Sequence, residues 1–346
     1  MPVRKRVTLN DVAKETGVSA KTVSNVVNSS GWVSDPVRDR ILEAITRLGY
    51  QPNLAARQLR IGKSHMFALA VPTLREPYFA ELASSFVTQA QKLNVTVLIT
   101  ETRGKRESEF ATIQGKSLPG VDAIICSPLA LTEKDLQHRS STIPLVLLGE
   151  YASNFNEPLF SFQVGFDNTS AAYVATNHLL ALGAHRIAVI GHQEDTSQAT
   201  SRLRFQGYLS ALREAKVPFD KYLLGTVDDF NRKEAALALQ RIIDLGVEFD
   251  GLLCFSDTMV LGVLPTLAAN DSTRNKQIPI VGFDNIEEAS YAYPPFDTID
   301  PHMDVIASTV IQRLLDQSDS SNNEMGVHIE TPFELVVRTR TDPKAS

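Results

Sequence analysis

Val7-Thr8-Leu9-Asn10-Asp11-Val12-Ala13, then Gly17-Val18-Ser19, then Ala20-Lys21-Thr22-Val23-Ser24-Asn25-Val26-Val27-Asn28: the fold of the whole chain is read outward from this stretch. Leu9, Val12 and Ala13 recur at i, i+3 and i+4, the spacing of one buried helical stripe. Gly17 supplies the positive φ that ends a helix. Ser19 is placed to cap the next helix by accepting a backbone N–H. In that second helix Val23, Val26 and Val27 turn inward, which leaves Ala20, Lys21, Ser24, Asn25 and Asn28 outside. These are short or polar, as a helix lying in a DNA major groove requires. Ser34 is expected to cap a third helix with Pro36 in its first turn. Ile41, Leu42, Ala44, Ile45 and Leu48 form its packing face, and Gly49 ends it.

This helix-turn-helix pattern also fits a plain three-helix bundle with no nucleic-acid partner. Charge separates the two readings. Residues 1–62 carry ten Lys/Arg against five Asp/Glu, a net +5, whereas the other 284 residues carry 24 against 35, a net −11. A basic head on an acidic body is the electrostatic footprint of a protein that meets DNA at one end only.

With 346 residues the chain has room for two or three domains. No apolar run is long enough to span a membrane, and the basic N-terminus lacks the apolar core of a secretory signal, so a cytoplasmic location is expected. Cys126 and Cys254 both fall in apolar strand candidates and read as small buried hydrophobes, with no disulfide. The seven histidines lack metal-ligand spacing, and His185 and His192 flank one strand candidate in a structural or surface role. No metal and no cofactor are expected.

From residue 66 short apolar runs alternate with helical stretches. Met66–Val71, Val95–Thr100, Ala123–Ser127, Leu145–Leu148, Ile187–Ile190, Gly251–Phe255 and Ile280–Gly282 read as parallel strands buried on both faces. Tyr78–Leu93, Asn168–Leu182, Ser201–Ala215 and Arg232–Leu245 read as the helices between them, the signature of a doubly wound sheet. The element also repeats. Val121-Asp122-Ala123-Ile124-Ile125-Cys126-Ser127 resembles Phe249-Asp250-Gly251-Leu252-Leu253-Cys254-Phe255-Ser256, and Ile143-Pro144-Leu145-Val146 resembles Ile278-Pro279-Ile280-Val281. Two similar lobes imply a cleft between them, fed by loops at the carboxyl ends of both sets of strands.

Those loops carry the candidate ligand groups. Arg204 follows the 187–190 strand, Ser256 and Asp257 follow the 251–255 strand, Asp284 follows the 280–282 strand, and Phe230 precedes the Arg232 helix. A guanidinium, a carboxylate and an aromatic face suit a small polyhydroxylated ring, with bidentate polar contacts and stacking on its apolar face. Asp257 reads equally as a helix cap beside the pocket. Gly191-His192-Gln193-Glu194 is not a phosphate-binding loop, and no nucleophile–base pair is suggested by spacing, so the chain does not read as an enzyme.

The strings quoted above, with Gly49-Tyr50-x-Pro52-Asn53-x-x-Ala56-Arg57-x-Leu59, resemble the LacI/GalR (lactose-repressor) family of bacterial transcription regulators. The resemblance runs to about Arg340. It implies an all-α helix-turn-helix head over 1–61 with a hinge helix at 53–60. An α/β periplasmic-binding-protein-like effector domain of two doubly wound lobes would then span 62–340. Lobe one would comprise about 66–163 and 297–325, and lobe two about 164–292 and 326–340. It further implies that Ala20, Lys21 and Asn25 face base edges while Thr8, Thr22, Ser24 and Asn28 sit near phosphates. Leu59, flanked by Ala56 and Arg57, would be a wedge in the minor groove. Such a segment is too short to be a stable helix alone and folds as a pair, opening a base step to bend the duplex. Arg204, Phe230 and Asp284 fall on effector-contacting positions, Tyr78, Phe79, Ser127 and Pro128 line the other wall, and Ser256 is a further candidate contact. Ser256 and Cys126 stand where some relatives have Asn, so no relative's effector can be carried over.

The expectation is therefore a homodimeric regulator, a repressor, that binds a pseudo-palindromic double-stranded DNA operator and responds to a small molecule, a sugar or sugar derivative. A purine or another metabolite is the alternative effector. A solute-binding protein of transport has no use for the basic head. Tetramer-forming relatives carry an extra C-terminal heptad helix that Thr341–Ser346 does not supply, which predicts a dimer.

Overall fold

The computed structural model describes residues 7–27, 30–50, 63–116, 118–149, 159–194, 199–274, 276–319 and 325–338. The chain forms two compact units, Met1–Ser64 and His65–Ser346. The expected hinge, 53–60, lies outside the described residues, as do Asn28 and the C-terminal segment from 339.

The first unit holds three helices, α1 Leu9–Thr16, α2 Ala20–Val27 and α3 Asp35–Leu48. Thr8 caps α1 through a reciprocal capping box: its Oγ1 accepts from Asp11 N at 3.3 Å, and Asp11 Oδ2 accepts from Thr8 N at 2.8 Å. Gly17 and Gly49 end α1 and α3 in the left-handed conformation. Ser19 accepts from Thr22 N at 3.1 Å, as its position predicts. Ser34 stands at the N-cap of α3 but makes no side-chain cap bond. Val12, Val23, Val26, Val33, Ile41, Ala44 and Tyr50 are the buried centre. Leu42, expected on the packing face, is 47% exposed. Its neighbours Ile41, Ala44, Ile45 and Leu48 already fill the stripe, and position 42 falls beyond its edge.

The second unit contains two six-stranded sheets. β1 Met66–Val71, β2 Thr96–Glu101, β3 Ala123–Cys126, β4 Leu145–Leu148 and β5 Phe162–Gly165 belong to the first. β6 Ile187–His192, β7 Leu224–Thr226, β8 Gly251–Cys254, β9 Ile280–Phe283 and β10 Asp297–Asp300 belong to the second. The chain then adds β11 Val327–Glu330 to the first sheet and β12 Glu334–Val336 to the second, giving the orders β11-β5-β4-β3-β1-β2 and β12-β10-β9-β8-β6-β7. Among the described strands only β12 runs antiparallel to its neighbour. The helices between strands are α4 Pro77–Lys92, α5 Arg106–Ile113, α6 Glu133–Gln137, α7 Asn168–Ala181, α8 Ala199–Glu214, α9 Arg232–Asp244 and α10 Asp257–Ala269, followed by α11 Met303–Asp319.

The strands are apolar throughout because both faces are covered. Phe67, Leu69 and Val71 pack on one side of the first sheet with α4 and α11, while Ala68 and Ala70 pack on the other. Each fully buried Leu, Ile or Phe of these cores contributes about 1.5–3 kcal/mol by leaving water.

The internal echo is structural. β3 and β8 hold the same place in their sheets, next to β1 and β6. The aspartate before each strand plays the same part in both. Asp122 Oδ2 accepts from His65 N at 2.7 Å, and Asp250 Oδ1 accepts from His185 N at 2.9 Å. Cys126 and Cys254 end the two strands as fully buried free thiols.

The lobe boundaries near the C-terminus differ from expectation. Asp297–Asp300, expected in the first lobe, pairs with β9 in the second sheet, and Val327–Glu330, expected in the second, pairs with β5 in the first. Asp297 is held there from two sides, accepting from Arg338 N at 2.7 Å and pairing with His178 Nε2 at 2.7 Å. Only α11 returns to the first lobe where expected, against α4.

Candidate functional site

Two candidate sites emerge, one in each unit. On the head, Lys21 is exposed at the start of α2, and Thr22 and Asn25 are half-buried beside it. Thr22 Oγ1 lies 2.9 Å from Ser19 Oγ, tying the helix start to the turn. Asn25 O accepts from Ser30 N at 2.9 Å. Its amide lies against Gly31, where an added Cβ would fall 2.9 Å from Asn25 Nδ2. Gly31 adopts φ +72°, so only glycine fits this approach without strain. Ser24, expected outside near a phosphate, is 9% exposed and belongs to the interior side of α2. Ala20 also packs partly on the core. Thr8 is exposed, its hydroxyl committed to Asp11 Oδ2 at 2.7 Å. Asn28, Ala56, Arg57 and Leu59 lie outside the described residues. Sequence reasoning missed Trp32, which is 88% exposed in the loop after Gly31. A lone tryptophan in the loop between α2 and α3 was a visible signal.

In the second unit a cavity of about 220 Å³ opens between the carboxyl ends of the two sheets. Tyr78, Phe79, Ser127, Arg204, Phe230, Ser256 and Asp284 all line it, as does Pro128. The topology explains the convergence. Glu76, Tyr78 and Phe79 follow β1, Ser127 and Leu129 follow β3, Phe166 and Asn168 follow β5, Gln193 follows β6, Asp228 and Phe230 follow β7, and Asp284 follows β9. These loops meet where strand order reverses on either side of β1 and β6, the place such sheets reserve for ligands.

Arg204 is the buried centre of the second wall, at 4% exposure. Its Nε donates to Asn168 Oδ1 at 2.6 Å, and its Nη1 donates to the Phe255 carbonyl. The guanidinium lies 4.0 Å from the Phe283 ring centroid. Asp284 Oδ1 is 3.9 Å from Nη2, an ion pair without a hydrogen bond. Burial pushes the Asp284 carboxyl up to about 6, against the pull of Arg204. Glu76, half-buried at the N-cap of α4, is pushed up to about 7, chiefly by burial. The Thr258 hydroxyl beside it eases this, yet Glu76 Oε1 and Thr258 Oγ1 are both buried without a well-directed hydrogen-bond partner.

Ser256 lines the cavity and also caps α10, accepting from Met259 N at 3.1 Å. Asp257, read as a cap or a contact, is neither. It is a strut that accepts from Thr298 Oγ1 at 2.6 Å and from Ile286 N at 3.1 Å, so it holds the turn carrying Asp284. Burial and the Asp284 charge raise its carboxyl well above the usual range. The opposite wall is fixed similarly. Glu109, fully buried, accepts from the backbone N–H of Leu129, Ala130 and Leu131 at 2.8–2.9 Å. Tyr78 and Phe79 meet edge to face at 5.0 Å.

Sequence reasoning missed Glu76, Phe166, Asn168, Gln193, Asp228 and Asp229. For Phe166, Asn168, Asp228 and Asp229 the cause is that β5 and β7 were not read as strands: Gln163 interrupts the apolar run of one, and the other is only Leu224-Gly225-Thr226. Among the described residues no cluster of His, Cys, Asp or Glu is arranged to hold a metal, and no helix is long and apolar enough to cross a membrane.

A helix-turn-helix head joined to a two-sheet ligand-cleft domain defines a DNA-binding transcriptional regulator. Residues 8–53 match the profile of bacterial regulatory proteins of the lacI family, and residues 64–336 match that of periplasmic binding proteins and the sugar-binding domain of the LacI family. The chain belongs to the LacI family. It is 27% identical to the HTH-type transcriptional repressor PurR of Vibrio atlanticus, over 96% of this chain and 98% of that one. It is 29% identical to the ribose operon repressor of Halalkalibacterium halodurans, over 96% and 97%. The fold is that of the Lac repressor dimer bound to operator and the anti-inducer ONPF, with a TM-score of 0.82 at 24% identity over 96% of this chain and 98% of that one.

Proposed function

We propose that the protein is a homodimeric repressor whose hold on a pseudo-palindromic operator is set by a small polar ring bound in the cleft between the two sheets. The observation that carries this reading is the convergence of Arg204, Asp284, Tyr78, Phe79 and Phe230 on one cavity, from loops of both sheets. A ligand gripped from both walls changes the angle between them, and that angle decides whether the two hinge segments around Leu59 can meet. Lys21 and Asn25 read base edges, and Thr8 and Thr22 lie toward the backbone. A carbohydrate is the favoured ligand, since aromatic faces with a few buried polar groups suit a hydroxylated ring. A nucleobase is the second reading, with PurR repressors as well as a ribose operon repressor among the relatives.

The test is a titration on a DNA site selected from a random pool with the full chain. Sugars and nucleobases that raise the melting temperature should change the affinity for that site, and the site should raise or lower ligand affinity by the same factor. A ligand that binds the cleft and leaves DNA affinity unchanged contradicts the coupling.

A further inference from the structure

Among the described residues four carboxyl groups line the cavity, Glu76, Asp228, Asp229 and Asp284, against the single guanidinium of Arg204. That guanidinium is poorly placed to receive an anion. It is buried, it donates to Asn168 Oδ1 and the Phe255 carbonyl, it faces Asp284, and its Cζ lies over the Phe283 ring. Helix N-termini are the other ready-made anion sites of such folds. Here two of them carry acids of the chain itself: Glu76 stands at the N-cap of α4, and Asp167 caps α7 by accepting from Thr169 N at 2.9 Å and Ser170 N at 3.0 Å. Asp228 and Asp229 are exposed and add negative charge at the mouth.

We infer that the cleft takes an uncharged or positively charged ring rich in hydroxyl or amine donors, that it rejects phosphorylated and carboxylated ones, and that Glu76 is the residue that selects. This rests on the reading of the cavity as the effector site. Glu76 has an acceptor oxygen, Oε1, left buried without a partner, and a donor on the ligand supplies what the protein does not. Its surroundings sharpen the choice: Asp284 and Glu288 act on it as like charges, and Arg232 opposes them. Arg232 is itself shared with Glu288 at 3.9 Å. A bound phosphate would add negative charge beside four carboxyl groups, with one guanidinium in the lining to answer them. A neutral or amine-bearing ring adds none.

The test uses the full chain at pH 7.5 and matched probes: glucose, glucosamine, glucose 6-phosphate and glucuronate; ribose and ribose 5-phosphate; cellobiose; adenine and adenosine monophosphate. Calorimetric affinities should favour the uncharged or amine member of a set over its anionic partner by roughly tenfold or more. Glu76→Gln should narrow that gap by about threefold or more, and Asp229→Asn, an exposed change at the mouth that leaves the fold intact, should narrow it in the same direction. An anionic member that binds more tightly than its parent overturns the inference and leaves the cleft reading standing. A gap unchanged in Glu76→Gln removes Glu76 from the role, whatever Asp229→Asn does. If no probe binds the native chain, the cleft reading itself fails, and this inference with it.

Discussion

Arg204 Nη2 and Asp284 Oδ1 stand 3.9 Å apart in the wall of the cleft, both almost excluded from solvent, yet the two groups do not hydrogen-bond. The arginine is held by Asn168, the Phe255 carbonyl and the Phe283 ring. The members of the pair should therefore respond differently to removal. Arg204→Leu strands a buried carboxylate, an amide oxygen and a carbonyl, and should cost about 3–5 kcal/mol. Asp284→Asn keeps the shape and removes a charge that burial already disfavours. Asparagine also tolerates the positive φ at this position, 103°. It should cost about 1 kcal/mol or less while altering ligand affinity. Denaturant melts of the full-length variants check both.

The raised acids give the stability a pH dependence of unusual sign. Folded Glu76 titrates near 7 against an ordinary 4.5, and Asp284 near 6 against 3.8. Between those limits the folded chain holds protons that the unfolded chain has released, so stability falls as pH rises. Their contribution is fully present below about 4 and is gone above about 7. Asp135 acts the other way. Arg106 holds its carboxyl down at about 2, so its contribution is lost only as pH falls through 4 toward 2. The melting temperature should rise by a few degrees from pH 8 to pH 5.5, and Glu76→Gln should flatten that rise.

Gly282 lies directly against Asp257. A Cβ there would fall inside contact distance of Asp257 Oδ1 and 3.0 Å from Val260 Cγ2. The carboxylate cannot retreat without releasing Thr298 or the Ile286 N–H. Gly282→Ala should destabilise by about 1–3 kcal/mol and weaken ligand binding as well, because the displaced turn carries Asp284. Stability lost with full ligand affinity retained would separate the strut from the site.

Trp32 is the sole tryptophan of the chain, and it is almost fully exposed beside the segment that packs on Asn25. Its emission should shift or be quenched when a selected operator covers this face, and unrelated DNA at higher salt should do so less. Lys21→Ala should cost about 1–3 kcal/mol of operator affinity and relax one position of the site. An emission unchanged at saturating operator places Trp32 away from the duplex.

Under the proposed function Leu59 is the minor-groove wedge that the family resemblance implies. Leu59→Ala should weaken operator binding strongly, because the bent duplex loses the group that opens its central step. The melting temperature of the second unit should stay unchanged. An unaltered operator affinity in this variant refutes the wedge.

Much was legible in the linear chain because local rules carried it. Met66–Val71 and Leu145–Leu148 are bounded as their apolar runs predict, since a strand buried on both faces has no reason to include a polar residue. The repeat of Asp122 and Asp250 before like strands told of two lobes, because each aspartate ties down the chain entering the neighbouring strand, β1 or β6. Gly17 and Ser19 located the turn of the head through backbone chemistry alone. What misled was context. Ser24 looks polar enough for a DNA face but lies on the inner side of α2. Asp297–Asp300 changed lobes because the partners that hold Asp297, His178 and Arg338, are 119 and 41 residues away.

The sequence by itself determined most of the elements and the two-lobed plan, because periodicity, caps and charge act over a few residues, and its motif strings carried the resemblance that gave the class of protein. Only the tertiary structure decided which lobe owns each C-terminal strand, that Asp257 is a strut, and that Glu76 joins Asp284 in one cavity. Those facts depend on side chains separated by as many as 208 residues, and on a desolvation that no residue carries until the fold removes its water.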